Sequence, residues 1–124
     1  MSLIFVFLFM IFAHIVDDFY LQGILAKLKQ KSWWIENAPD SLYEHDYIMA
    51  LILHSFSWTF MVMLPIAIYN NFQCDITFIF FFIINIVCHM VSDYEKANTR
   101  SINLITDQIC HLSQILCTFI FNMF

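Results

Sequence analysis

The sequence predicts an all-α, polytopic membrane protein built as a four-helix transmembrane bundle. Three observations carry that expectation. Hydrophobic residues make up 61% of the chain, against ~45–50% in a soluble domain. One glycine and two prolines among 124 residues leave few turns and no flexible linker. Four apolar stretches each approach the ~20 residues that a bilayer core requires. The length sets one domain, residues 1–124.

The first helix is expected over about 2–24, an almost unbroken Phe/Ile/Leu/Val run. It lacks a basic leading segment and a small-residue cleavage site, so it is expected to stay in the mature protein. The second is expected over about 46–70 and carries Pro65, where a kink is expected. Asn70 and Asn71 supply the turn into a third helix over about 75–96. The fourth spans about 102–123. Cys74, Cys88, Cys110 and Cys117 show no paired spacing and read as small apolar helix residues.

Loop charges give the orientation. Lys27, Lys29 and Lys31 lie in the first loop, Lys96 and Arg100 at the third, and none lies in the second loop or at either terminus. The positive-inside rule then sets loops one and three in the cytoplasm and both termini outside, in a cell inner (cytoplasmic) membrane. Trp33 and Trp34 suit the headgroup layer as well as they suit a solvated loop. Five basic residues against ten acidic ones give a formal charge of −5 and no phosphate-tracking patch. Nucleic acid is therefore excluded as a partner. The expected partners are membrane lipid and, as an assembly the sequence permits, a homo-oligomer.

Three apolar runs each carry a His and an Asp four residues apart: His14/Asp18, His89/Asp93 and Asp107/His111. Positions i and i+4 share a helix face. The order reverses in the last helix, which runs the opposite way to the first and third. All three pairs would therefore set His deeper and Asp shallower. Counting from the cytoplasmic helix ends, His14, His54, His89 and His111 lie about 10–15 Å deep, and Asp18, Asp93 and Asp107 about 5–9 Å deep. Ionisable groups in a membrane span are costly, so each invites a functional explanation.

Imidazole and carboxylate together form a metal-binding set. The expected ligands are His14, Asp18, His54, His89, Asp93, Asp107 and His111, holding one or two divalent transition-metal ions, with zinc favoured. Taken alone, His54 reads more simply as a hydrogen-bonded packing residue, and each His–Asp pair can satisfy itself. Two haems with bis-His ligation would sit at separated depths, whereas the histidines form one layer, and haem leaves the aspartates unexplained. Asp17 should face another helix or the interface. Glu44, His45 and Asp46 read as a solvated helix start.

The pattern His14-x3-Asp18-x3-Gln22, Lys31-Ser32, His54, His89-x3-Asp93-x2-Lys96 and Asp107-Gln108-x2-His111 resembles a group of small phage- and bacteria-encoded integral membrane proteins catalogued as a domain of unknown function. The resemblance runs from residue 10 to about 115. A looser similarity links it to membrane-bound metal-dependent hydrolases, and implies hydrolytic chemistry.

The expected function is that of a membrane-embedded, metal-dependent hydrolase acting on a lipid or lipid-linked substrate at the cytoplasmic interface. Asp93, Asp107 and Asp18 are the expected catalytic carboxylates. Gln22, Lys31, Lys96, Arg100 and Gln108 are the expected substrate-binding groups. Asp93 and Asp107 are expected to matter more for activity than for folding. A non-enzymatic phage-type membrane factor with a structural metal or polar network is the first alternative. A proton or ion relay is the second, disfavoured because Met1–Ala13 and Leu112–Phe124 contain no acidic or basic side chain.

Overall fold

A computed structural model describes all residues, Met1–Phe124. It is helical throughout, and four helices are long and apolar enough to cross a membrane. The first is α1, Leu3–Ile15, continued by a π-helical segment, Val16–Leu21. Ser2 caps α1 by accepting from the Phe5 N–H at 3.3 Å. The first connection is ordered as short helices, α2 (Leu25–Leu28) and α3 (Lys31–Asn37), entered through Gly23 at φ 49°. That left-handed conformation costs glycine least.

Helix α4, Asp46–Tyr69, runs unbroken through Pro65. It ends in a Schellman motif. The Phe72 N–H reaches the Ala67 carbonyl at 2.7 Å, the Asn71 N–H reaches Ile68, and Asn71 is left-handed at φ 51°. Helix α5, Ile76–Tyr94, is capped by Asp75 and continues as a second π-helical segment, Glu95–Thr99. Arg100, left-handed at φ 56°, stops it. Asn103 caps α6, Leu104–Met123. The four long helices fall within a few residues of the sequence expectation. The two π-helical ends and the ordered first connection have no signature in apolar periodicity.

Helix α4 packs against α1 and α5, α5 packs against α6, and α1 meets α6, which closes the bundle. The two halves of its interior differ. Away from the first and third connections, Val6, Met10, Trp58, Val62, Ile66 and Ile115 form a fully buried apolar cluster. Toward those connections the interior is polar, with His14, Asp17, Asp18, His54, His89, Asp93, Asp107 and His111 all buried. Large apolar side chains such as Phe5, Phe12, Phe60, Phe80 and Ile109 cover the outside. That inversion suits hydrocarbon as the surrounding solvent.

Candidate metal centre

The centre is assembled by α1, α4, α5 and α6. His54 projects from α4 and lies at the middle. Its Nε2 is 3.2 Å from His89 Nε2, 3.3 Å from Asp18 Oδ1 and 3.2 Å from Asp93 Oδ2. His89 Nε2 lies 3.7 Å from the same Asp93 oxygen. A second lobe is formed where His111 Nε2 lies 3.2 Å from Asp107 Oδ1 and 3.8 Å from Asp93 Oδ1. Two groups of ligand atoms result: Asp18, His54, His89 and Asp93, and Asp18, Asp107 and His111, each with its atoms within 4.8 Å of one another.

These distances can be compared with an ion's needs. Zinc bonds nitrogen and oxygen at ~2.0–2.2 Å, so the edges of its tetrahedron are ~3.3–3.6 Å. The separations around His54 match those edges. His111 Nε2, Asp93 Oδ1 and Asp107 Oδ1 are buried without a hydrogen-bond partner. Buried polar atoms normally find one. His111 Nε2 lies within 3.8 Å of both carboxylate oxygens, and a cation beside it would satisfy unpartnered atoms of this kind.

The far nitrogens of the rings carry matching detail. His54 Nδ1 faces Asp17 Oδ2 at 3.9 Å, and Ser57 donates to the other Asp17 oxygen at 2.6 Å. His111 Nδ1 lies 3.3 Å from Gln114 Oε1. For His111, an acceptor at Nδ1 favours the tautomer whose lone pair is on Nε2, directed into the cluster, whereas His54 Nδ1 is too far from Asp17 for a hydrogen bond.

Charge gives a further constraint. Asp17, Asp18, Asp93 and Asp107 are buried together. Lys29 Nζ meets Asp93 Oδ2 at 2.7 Å, and Lys96 Nζ meets Asp107 Oδ2 at 2.6 Å. Four carboxylates against two ammonium groups leave an excess of two negative charges. One divalent ion or two imidazolium rings balance it.

Of the expected ligands, the structure brings together six and leaves out His14. Both of its nitrogens are occupied: Trp58 Nε1–H donates to Nδ1 at 2.8 Å, and Nε2 lies 3.0 Å from Gln108 Oε1. The His14/Asp18 pair does not close, whereas the other two i,i+4 pairs do. The cause is local. The helix turns π-helical at Val16, so successive residues rotate by less than 100°, and Asp18 leaves the face of His14. The same change buries Asp17 against α4, the first of the two placements expected for it.

The expected anion-binding residues divide similarly. Lys96 reaches the cluster, and Gln108 donates to Asp18 Oδ2 and Asp107 Oδ2, both at 3.1 Å. Gln22 is held by Lys29 at 3.0 Å and by a short bond to the Asp18 carbonyl. Lys31 points elsewhere, to the Tyr94 hydroxyl at 2.9 Å. Arg100 is exposed at the helix stop. Lys29 takes the place the sequence reading gave to Lys31.

A family model described as a protein of unknown function, DUF3307, matches residues 6–124. The chain belongs to the DUF3307 family. No curated protein and no solved structure matches it. The DUF3307 match spans every buried His and Asp of the cluster.

Trp58 forms the floor between the polar and apolar halves of this DUF3307 chain. Its ring stacks on His89 at 4.3 Å, with the ring of His111 5.5 Å away and that of His14 5.8 Å away. Trp58→Phe keeps an aromatic floor but removes the N–H, leaving His14 Nδ1 buried and unpaired. The expected cost is about 1–3 kcal/mol. A lower Tm for the detergent-purified variant checks it, and an unchanged Tm contradicts it.

Proposed function

We propose that this protein is a membrane-embedded, metal-dependent hydrolase that holds one or two divalent ions, with zinc favoured. The observation that carries the reading is the convergence of His54, His89, Asp18 and Asp93 at tetrahedral spacing beside the unpartnered atoms of His111, Asp93 and Asp107. Asp18 is common to both groups, and Asp93 contributes one oxygen to each lobe. Either carboxylate suits a bridge between two ions.

A bound divalent ion supplies Lewis acidity and lowers the pKa of a nearby water. The chain's own groups do the rest. With a single ion held by His54, His89, Asp18 and Asp93 Oδ2, the Oδ1 atoms of Asp93 and Asp107 would stay free of hydrogen bonds, and either could take the proton of an attacking water. Lys29 and Lys96 neutralise the opposite oxygens and can receive an anionic group on the substrate. Gln108 and Gln22 orient these groups from the flank. Burial of the cluster among long apolar helices supports a lipid or lipid-linked substrate reaching it from the cytoplasmic interface.

A test is incubation of the protein in liposomes of defined lipid, followed by mass spectrometry of the extract. The expected result is cleaved lipid that a chelator prevents and zinc restores. Intact lipid after incubation with zinc-loaded protein would count against hydrolysis.

The non-enzymatic alternative draws on the lysine pairs and on the closed Trp58–His14–Gln108 chain, which resemble a structural polar network. The relay alternative has less support: beyond the cluster Gln114, Asn85 and Thr118 are hydrogen-bonded but uncharged, and no acidic or basic side chain continues the path among Val6, Met10, Val62, Ile66 and Ile115.

The proposed setting is an inner (cytoplasmic) membrane with loops one and three in the cytoplasm and both termini outside, from the placement of Lys and Arg. Cysteines introduced at Leu28 and Phe72, in a background lacking the native ones, report it. An impermeant maleimide added outside the cell should label position 72 and spare 28. Labelling of 28 overturns the orientation.

A further inference from the structure

The ordered first connection makes a second polar feature, apart from the metal centre. Lys31 begins α3, and its backbone N–H donates to Asn98 Oδ1 at 2.7 Å, while Asn98 donates to the Lys29 carbonyl at 3.0 Å. The connection is thereby fastened to the end of α5. The Lys31 ammonium lies 4.9 Å from the centre of the Tyr47 ring and 5.1 Å from that of Tyr94. It is hydrogen-bonded to the Tyr94 hydroxyl and has no carboxylate within ion-pair distance. The hydroxyl bond raises its pKa above the ordinary lysine value, so it stays charged.

Two cavities meet at this lysine. One is a cleft of about 400 Å³ lined by Lys31, Trp34, Asp40, Glu44, His45 and Tyr47, among others. The other is a groove of about 290 Å³ on the outer seam of α4 and α5, lined mainly by Tyr47, Leu51, Met90, Val91 and Tyr94. Tyr47 is common to both, and Lys31 contacts the two tyrosines that close the groove's cytoplasmic end. Trp33 and Trp34 pack edge to face at 5.0 Å, and Trp34 stacks on Tyr43 at 6.3 Å. Such an aromatic belt suits the headgroup layer.

We propose that cleft and groove form one binding site for a zwitterionic aminophospholipid, with an acyl chain in the α4–α5 groove and the headgroup in the cleft. The charges decide the class. Lys31 offers one unpaired cation for the phosphate. Asp40 and Glu44, on the same cleft, offer carboxylates for a primary ammonium. An anionic headgroup would meet those carboxylates with nothing to offset them. A quaternary ammonium would meet them without N–H groups to donate. Apart from Glu95 in its lining, the groove supplies an apolar wall along the membrane-length helices α4 and α5 for an acyl chain. The site does not rest on the hydrolase reading, since none of its residues belongs to the metal-capable groups.

The test uses the full chain, delipidated in detergent and titrated by native mass spectrometry with dioleoyl phosphatidylethanolamine, phosphatidylcholine or phosphatidylglycerol. Exposed ion pairs each shift affinity by about 2–5-fold. The wild type should therefore prefer phosphatidylethanolamine over phosphatidylglycerol by at least that factor. Lys31→Ala should weaken phosphatidylethanolamine by a similar factor. Glu44→Gln, at an exposed position, should reduce the preference over phosphatidylglycerol without weakening phosphatidylglycerol itself, since Asp40 remains. It keeps the test decisive where Lys31→Ala does not fold. Equal binding of all three lipids by the wild type, or a preference untouched in Glu44→Gln, overturns the proposal.

Discussion

Asp93→Asn should destabilise the metal-free bundle by about 3–5 kcal/mol, the loss expected when one member of a buried ion pair is removed. Asp107→Asn should cost about 1 kcal/mol, nearer to the value for a partly exposed pair. Both aspartates are buried and both hold a lysine. The difference lies in what each lysine can do afterwards. The Lys29 side chain is 10% exposed and sits inside the bundle, so its ammonium stays buried without a counterion. The Lys96 side chain is 32% exposed and can swing into water. Adding Lys29→Met to Asp93→Asn removes the stranded charge and should recover most of the lost stability. Unfolding in detergent with chelator present, for the wild type, both single variants and the double variant, measures this. Equal losses for Asp93→Asn and Asp107→Asn, or no recovery in the double variant, would contradict it. The sequence alone treats the two aspartates as equivalent, tolerant positions. The structure separates them by the burial of their lysines.

His54→Ala should weaken zinc binding by at least about 100-fold, beyond the 10–100-fold typical of losing a group that merely orients a ligand. His54 Nε2 is the atom from which His89, Asp18 and Asp93 all lie within 3.3 Å. Removing it opens one side of the proposed tetrahedron. His14→Gln is the control. It keeps a polar group near Gln108 and Trp58, and His14 contributes no atom to either ligand group. Its zinc affinity should change by less than about 10-fold. Competition against a chromogenic chelator gives both numbers. A loss in His14→Gln as large as that in His54→Ala would mean that the ligand set is misassigned.

Much of the architecture is legible in the sequence because the bilayer imposes it. A span must be long, apolar and internally hydrogen-bonded, so composition and length alone locate four helices to within a few residues. The same pressure makes buried ionisable groups conspicuous. His54, His89, Asp93, Asp107 and His111 stand out against Phe and Ile, and the i,i+4 rule pairs Asp93 with His89 and Asp107 with His111.

The rule fails where the helix stops being α. At Val16–Leu21 the π-helical turn rotates Asp18 away from His14 and brings Asp17 inward as well. Nothing in the residue types of that segment announces a wider turn. The roles of Lys29 and Trp58 were hidden for other reasons. Lys29 reads as one of three loop lysines, and only the fold of α2 and α3 drops it onto Asp93. Trp58 reads as another apolar residue of α4, and its N–H acquires a role only once α1 packs opposite it. In both cases the missing information is tertiary. Local periodicity says which face a residue occupies, not which group waits across the bundle.

Elemental analysis of the purified wild type decides whether the His/Asp cluster holds metal. The chain is extracted in mild detergent without an affinity tag that binds metal, passed through buffer free of added ions, and its zinc, iron, manganese, nickel and copper are counted per chain. The wild type should carry one or two equivalents of a divalent transition metal, predominantly zinc, falling to well under half an equivalent in His54→Ala prepared in parallel. Wild type and His54→Ala that both carry only traces, and that both stay free of metal after incubation with excess zinc and desalting, would contradict it.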